Sequence, residues 1–213
     1  MIKNTIILDY GISNLHSIFA ACNKNDINCK VSSKINDLDS SSAIILPGVG
    51  SFPKAISNLK KLDLIHPLKK QIENGKPILG ICLGMQLLLD FSEEFEVTKG
   101  LSIISGKVKR FNKKNIQYQS IPHIGWNKIF KNKDIEKKSI LRNTNNNEFM
   151  YFVHSYFVLP DDEKNVMSYT KYGNFKFCSS LCQNNIFATQ FHPEKSGKNG
   201  LKIIKEFKKI FKL

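Results

Sequence analysis

Cys82 stands between two glycines, in Gly80-Ile81-Cys82-Leu83-Gly84. This is the G-x-nucleophile-x-G spacing of a strand–turn–helix elbow. A side chain that projects from so tight a turn needs small residues two places away on each side, so that the flanking segments can close up. At the start of a helix near Leu83, a thiol meets backbone N–H groups and the positive helix end, which favour the thiolate. The Leu83 N–H would also be placed to bond an oxyanion. The competing reading is a buried cysteine packed between glycines, and the pentapeptide alone does not separate the two.

A thiolate nucleophile wants a base. Of the five histidines, His192 stands out within TQFHPEKS, residues 189–196. Glu194 follows two places later, and in an extended segment both side chains point to one side. Pro193 between them restricts the backbone. The carboxylate would then accept from one imidazole nitrogen while the other faces Cys82, which is nucleophile–base–orienter chemistry. A second glycine turn, Pro47-Gly48-Val49-Gly50, comes off a buried apolar run and precedes a helical pattern. It lacks the Lys-Ser/Thr of a P-loop and the full GxGxxG. In a parallel sheet it would emerge at the same edge as Cys82 and offer a second oxyanion donor.

The elements that must position these residues follow from hydrophobic periodicity. Strands are expected at 5–9, 27–33, 43–47 and 77–81. Helices are expected at 13–25 with Ser13 as N-cap, across 53–74 with a break near His66-Pro67, and at 83–91. Apolar strands alternating with helices imply a parallel sheet covered on both faces. Beyond residue 100 six strand-like runs follow with few helices, from LSIISGKVKRF to IFATQF. They predict an antiparallel or mixed layer added to a mostly parallel α/β core. A short helix is expected at 134–143, a loop at 143–147, and a final amphipathic helix carrying Leu201, Ile204, Phe207 and Phe211. No repeat or domain-sized linker interrupts 1–213, so one domain is expected.

Composition narrows the function classes. The chain has 213 residues, 41% of them hydrophobic, enough for a core without staples. No run approaches the roughly 20 apolar residues of a membrane span. The opening MIKNTIILDYG reads as a first strand rather than a secretion signal, so a cytoplasmic protein is expected. Five cysteines, Cys22, Cys29, Cys82, Cys178 and Cys182, do not suggest a disulfide framework. Cys178 and Cys182 lack the partners of a metal site and read as strand residues. Net charge is +14, but the lysines are spread along the chain and no nucleic-acid motif accompanies them.

Taken together, GICLGMQLL, FHPEKS and LPGVGSF resemble the catalytic blocks and oxyanion strand of the class I, or triad, glutamine amidotransferases. DYGISNLHS, PHIGWN and YFVHSYF are similar to segments of the glutaminase subunits of imidazole glycerol phosphate synthases. The resemblance covers nearly the whole chain. It implies a mixed sheet with flanking helices and hydrolysis of L-glutamine to glutamate and ammonia, with no cofactor and no metal. It implies a Cys82, His192, Glu194 triad and oxyanion donors at Val49 and Leu83. Gly50, Gln86, His154, Ser155 and Tyr156 would hold the substrate. It also implies a separate (β/α)8-barrel cyclase as partner in a heterodimer, met by Asn14, Trp126 and Lys195, since the glutaminase fold uses up the chain. His16 and His123 would be structural or interface residues. Ser13 replaces a glycine usual in the family, and Ser105 a frequent proline. These departures leave open a paralogue that feeds ammonia to surface-sugar amidation. Two more readings compete with it. One is a γ-glutamyl hydrolase or peptidase on the same fold, and the other is a non-catalytic nucleic-acid module.

Overall fold

The computed structural model describes residues 3–11, 14–132 and 139–213. Thirteen strands join one sheet. Its parallel half contains β1 (Thr5–Leu8), β2 (Cys29–Ser32), β3 (Ala43–Leu46), β4 (Ile78–Ile81) and, from far along the chain, β13 (Ile186–Thr189), in the order β2-β1-β3-β4-β13. All residues of β1, β3, β4 and β13 are buried, as a sheet covered on both faces requires. Alternation along β1 divides the core. Ile6 and Leu8 pack with α2 (Ile35–Ser40), α3 (Phe52–Lys61), α4 (Ile65–Glu73) and α5 (Leu83–Leu87), whereas Ile7 packs with α1 (Leu15–Asn23) and α6 (Gly197–Phe211). Among the described residues no helix is long and apolar enough to cross a membrane.

The antiparallel part continues this sheet. From β13 the order passes through β12 (Phe175–Gln183) to β10 (Tyr156–Pro160), β7 (Gly106–Arg110), β5 (Phe91–Ser92) and β6 (Thr98–Lys99). A branch leaves β12 through β11 (Val166–Tyr172) to β8 (His123–Lys131) and β9 (Glu148–His154). The final helix covers the sheet as its apolar spacing predicts, with Phe207 and Phe211 at 6.4 and 5.9 Å from Phe187.

Three elements depart from expectation. The helix from Leu83 ends at Leu87 rather than 91. The carbonyls of Leu87, Leu88 and Leu89 are taken by N–H groups of residues 101–104, at 2.8 to 3.1 Å, so the leucines are buried by a loop that ends the helix. The 53–74 region breaks at 62–64, not at His66-Pro67. Pro67 lies in the first turn of α4, where a missing N–H costs nothing. Asn14, not Ser13, is the N-cap of α1, and Ser13 lies outside the described residues. Residues 134–138 of the expected short helix also lie outside them, and 140–143 form turns.

Two glycines let the functional turns meet. A Cβ on Gly84 would lie 1.9 Å from the Leu46 carbonyl oxygen, and one on Gly48 would lie 2.6 Å from the Leu83 Cβ. The buried Tyr10 hydroxyl donates to the Pro47 carbonyl and anchors the same turn. Gly84 is helical, where alanine normally stabilises by about 1 kcal/mol. Here the sign reverses: Gly84→Ala must push α5 off the end of β3. It is expected to cost about 3 kcal/mol or more, read as a lowered midpoint in thermal unfolding.

Candidate active site

β3, β4 and β13 are adjacent and parallel, with Leu46 opposite Gly80 and Thr189 opposite Ile81. Their carboxyl ends therefore deliver residues 47–50, Cys82 and residues 190–194 to one edge of the sheet. Cys82 has φ 53° and ψ −107°. This is a left-handed strain of about 1–3 kcal/mol for a non-glycine residue. It is held by the Cys82 N–H bond to the Thr189 carbonyl at 2.7 Å and by the Cys82 carbonyl, which accepts from Met85 and Gln86 N–H at 3.0 and 3.2 Å. The elbow is real. The helix behind it has only five residues, so the support expected from a longer helix dipole shrinks to little more than one turn.

His192 and Glu194 meet with Nδ1 at 2.7 Å from the carboxylate Oε1. Both side chains are almost wholly buried. The sequence predicts this pairing from an extended segment, but Pro193–Lys195 form one turn of 3-10 helix. The turn, fixed by Lys195 N–H and Ser196 Oγ donating to the His192 carbonyl at 3.1 and 2.6 Å, brings Glu194 back to the imidazole. Nε2 on the far side is buried and makes no hydrogen bond. Burial opposes charge on His192. Cys82 and the Glu194 carboxylate more than offset it and hold the imidazole pKa up at about 10. An imidazolium beside a cysteine is the setting that makes a thiol nucleophilic.

Beside Cys82 lies a pocket of about 230 Å³, smaller than sites that take drug-sized ligands. Val49 and Leu83, Gly50 and Gln86, and His154, Ser155 and Tyr156 all line it. The sequence-predicted oxyanion and substrate residues are thus brought together. β9 ends at His154, and β10 starts at Tyr156 with Ser155 between them. Lys195 and Trp126 are exposed. Asn14 caps α1, a helix packed against the 193–195 turn.

Sequence reasoning missed three residues. Glu94 lines the pocket, and its carboxylate accepts from the Phe52 N–H at 2.7 Å. Burial raises its pKa despite that hydrogen bond. Tyr10 props the 47–50 turn from below. Gln190 is fully buried, with Nε2 3.6 Å from the Cys82 sulfur. Its only sequence signal is its place two residues before His192. His123, expected to be structural or at an interface, pairs with His154 behind the pocket, Nδ1 to Nε2 at 3.1 Å. Burial pushes the Cys178 and Cys182 thiols up.

The chain matches the family model described as glutamine amidotransferase class-I over residues 6–210. It is 42% identical over 202 residues to the imidazole glycerol phosphate synthase subunit HisH of Chlorobaculum tepidum, covering 94% of this chain and 97% of that protein. It is also 42% identical over 206 residues to the subunit of the same name from Aquifex aeolicus, covering 96% of each. Among solved structures, a glutamine amidotransferase superposes with a TM-score of 0.74 at 15% identity, over 98% of this chain and 99% of the other. A chain of the PurLQS structure from Thermotoga maritima gives 0.73 at 20%, over 97% and 98%.

The charge on His192 has a measurable sign. Its folded pKa lies above the ordinary value, so its contribution to stability is complete below about pH 6.5. That contribution fades as pH rises and is lost near 10. An imidazole NMR titration should find His192 protonated at pH 8. Glu194→Gln, which removes the carboxylate, should move the midpoint down by at least one unit. An unchanged midpoint would show that Glu194 does not support the charge.

Proposed function

The chain belongs to the class I glutamine amidotransferases, and from that premise we propose that it is the glutaminase subunit of an imidazole glycerol phosphate synthase, acting in histidine biosynthesis. The observation that carries this is the buried Cys82, His192 and Glu194 set opening on a pocket the size of one amino acid. Identity of about 40% to HisH subunits over nearly the full length of both chains supports the assignment, and the match over residues 6–210 supports one amidotransferase domain spanning the chain. The proposed location is the cytoplasm.

The Cys82 sulfur attacks the side-chain amide carbon of L-glutamine. The resulting oxyanion is held by the Val49 and Leu83 N–H groups. His192 gives a proton to the leaving nitrogen, the C–N bond breaks, and ammonia departs from a thioester. Water, activated by the now neutral His192, attacks the thioester. The C–S bond breaks, and glutamate is released. Glu194 holds the imidazole orientation throughout. In the pocket, Gly50, Ser155 and Tyr156 hold the substrate through the backbone, Gln86 offers its side-chain carbonyl, and Glu94 suits the α-ammonium.

Ammonia released into neutral water is largely protonated and lost as a nucleophile, so the product calls for an acceptor subunit docked beside the site. Ile124, Trp126 and Phe149 are large apolar residues exposed on adjoining strands β8 and β9, and such a patch marks an interaction surface. With Asn14 and Lys195 it is the proposed face for a (β/α)8-barrel cyclase in a heterodimer. This face favours subunit docking over an open peptidase cleft.

Cys82→Ala should reduce ammonia release from glutamine by about a thousandfold or more while leaving the thermal unfolding midpoint within a few degrees. Retained glutaminase activity would overturn the assignment. Trp126→Ala should weaken association with the cyclase by about tenfold or more, measured by calorimetric titration, and leave the isolated fold unchanged.

A further inference from the structure

Behind the pocket the hydrogen bonds form one chain whose direction can be read without seeing a hydrogen. The Tyr156 carbonyl can only accept, so His154 Nδ1, 2.7 Å away, carries a proton. Burial holds both His154 and His123 far below the usual imidazole range, at about 3 and about 4, so each ring is neutral. His154 Nε2 is then an acceptor and takes the proton of His123 Nδ1 at 3.1 Å. His123 Nε2 is in turn an acceptor, filled by Asn127 Nδ2 at 3.2 Å. The amide orientation of Asn127 is fixed independently. Its Nδ2 also donates to the Lys171 carbonyl at 2.9 Å, and its Oδ1 accepts from the Lys128 N–H at 2.8 Å.

From the other side, Gln86 Nε2 donates to the same Tyr156 carbonyl and to Gln190 Oε1, both at 3.1 Å. Gln190 Nε2 then points at the Cys82 sulfur, 3.6 Å away. Both N–H bonds of Gln86 are thereby used inside the protein, which leaves its carbonyl for the substrate.

We propose that Gln190 and His123 are positioning residues of the glutaminase site: Gln190 sets the Cys82 sulfur by donating to it, and His123 sets the pocket wall by locking the His154 ring against the Tyr156 carbonyl. Neither need touch glutamine. The roles rest on the glutaminase reading above. Two arms differ in what they move. A donor to sulfur favours the thiolate over the thiol, so Gln190 acts on the nucleophile. His123 acts on the shape of the pocket, and hence on binding.

Cys82 alkylation by iodoacetamide, resolved by peptide mass spectrometry across pH, reports the nucleophile without glutamine. Ammonia release by the subunit complex reports kcat and KM. Gln190→Met should lower kcat about tenfold or more and move the alkylation profile to higher pH. Gln190→Leu likewise has no donor for sulfur at any pH, so it should shift alkylation in the same direction. His123→Leu should raise KM about tenfold and leave alkylation unchanged, with His123→Gln restoring KM. The proposal is overturned if folded Gln190→Met alkylates and turns over as wild type, or if His123→Leu keeps the wild-type KM. Should Gln190→Met not fold, Gln190→Leu decides by the same readings. If the wild-type complex releases no ammonia, it is the glutaminase reading that fails, and the alkylation arm still tests Gln190.

Discussion

Everything at this site depends on β4 and β13 lying side by side, parallel and in register. Their sequences are separated by more than a hundred residues, yet Ile81 faces Thr189. That one pairing sets Cys82 and His192 at the same level of the sheet edge. The bond from the Cys82 N–H to the Thr189 carbonyl is its last rung, and it also holds the strained φ of the nucleophile. A slip of one residue would turn every side chain of β13 to the opposite face. Both faces are buried, so such a slip would force the apolar residues of β13 to exchange core environments. The core therefore enforces the alignment of Cys82 with His192, and the strain at Cys82 is sustained by packing along the whole length of the strands.

Three buried histidines within a few side chains of one another show how environment divides one residue type into two roles. His192 is buried against a carboxylate and a cysteine, and it is held charged. His123 and His154 are buried against each other, against Phe111 and Phe177 at 5.2 to 6.4 Å, and against a carbonyl, and they are held neutral. The presence of His192 itself pushes His154 further toward neutrality. Charge is thus confined to one imidazole, while the other two rings serve as fixed hydrogen-bonding pieces.

The parallel half of the fold was legible because fully buried strands are short apolar runs bounded by helical patterns, and the elbow because a projecting thiol needs glycines at fixed offsets. The His192–Glu194 pair was legible for a partly wrong reason, since a 3-10 turn, not strand alternation, joins them. What stayed hidden depends on contacts distant in sequence. The end of α5 at Leu87 is set by N–H groups from 101–104, which no local propensity reports. Gln190, Tyr10 and Glu94 carry ordinary residue types, and their roles come only from where the chain folds them. His123 and His154 are 31 residues apart, and only the β8–β9 register makes them opposite.

That register also joins the interior of the site to the outer surface. Along β8, His123, Gly125 and Asn127 face inward while Ile124, Trp126 and Lys128 face out, and β9 repeats the alternation from Phe149 to His154. The inner face backs the pocket beside Cys82 through His123 and His154. The outer face presents the apolar patch. These strands are also tied to the base, since the Tyr151 carbonyl accepts from the His192 N–H at 2.9 Å and the Tyr151 N–H donates to Ser196 Oγ at 2.9 Å. The patch lies on strands whose other side carries His123 and His154 and whose residue 151 bonds the His192 backbone. β8 is in turn bonded to β11 through residues 129–131, so the pair is joined to the rest of the sheet along its other edge. The exposed patch, the bond to the His192 backbone and the ring that bonds the Tyr156 carbonyl are thus all carried by β8 and β9.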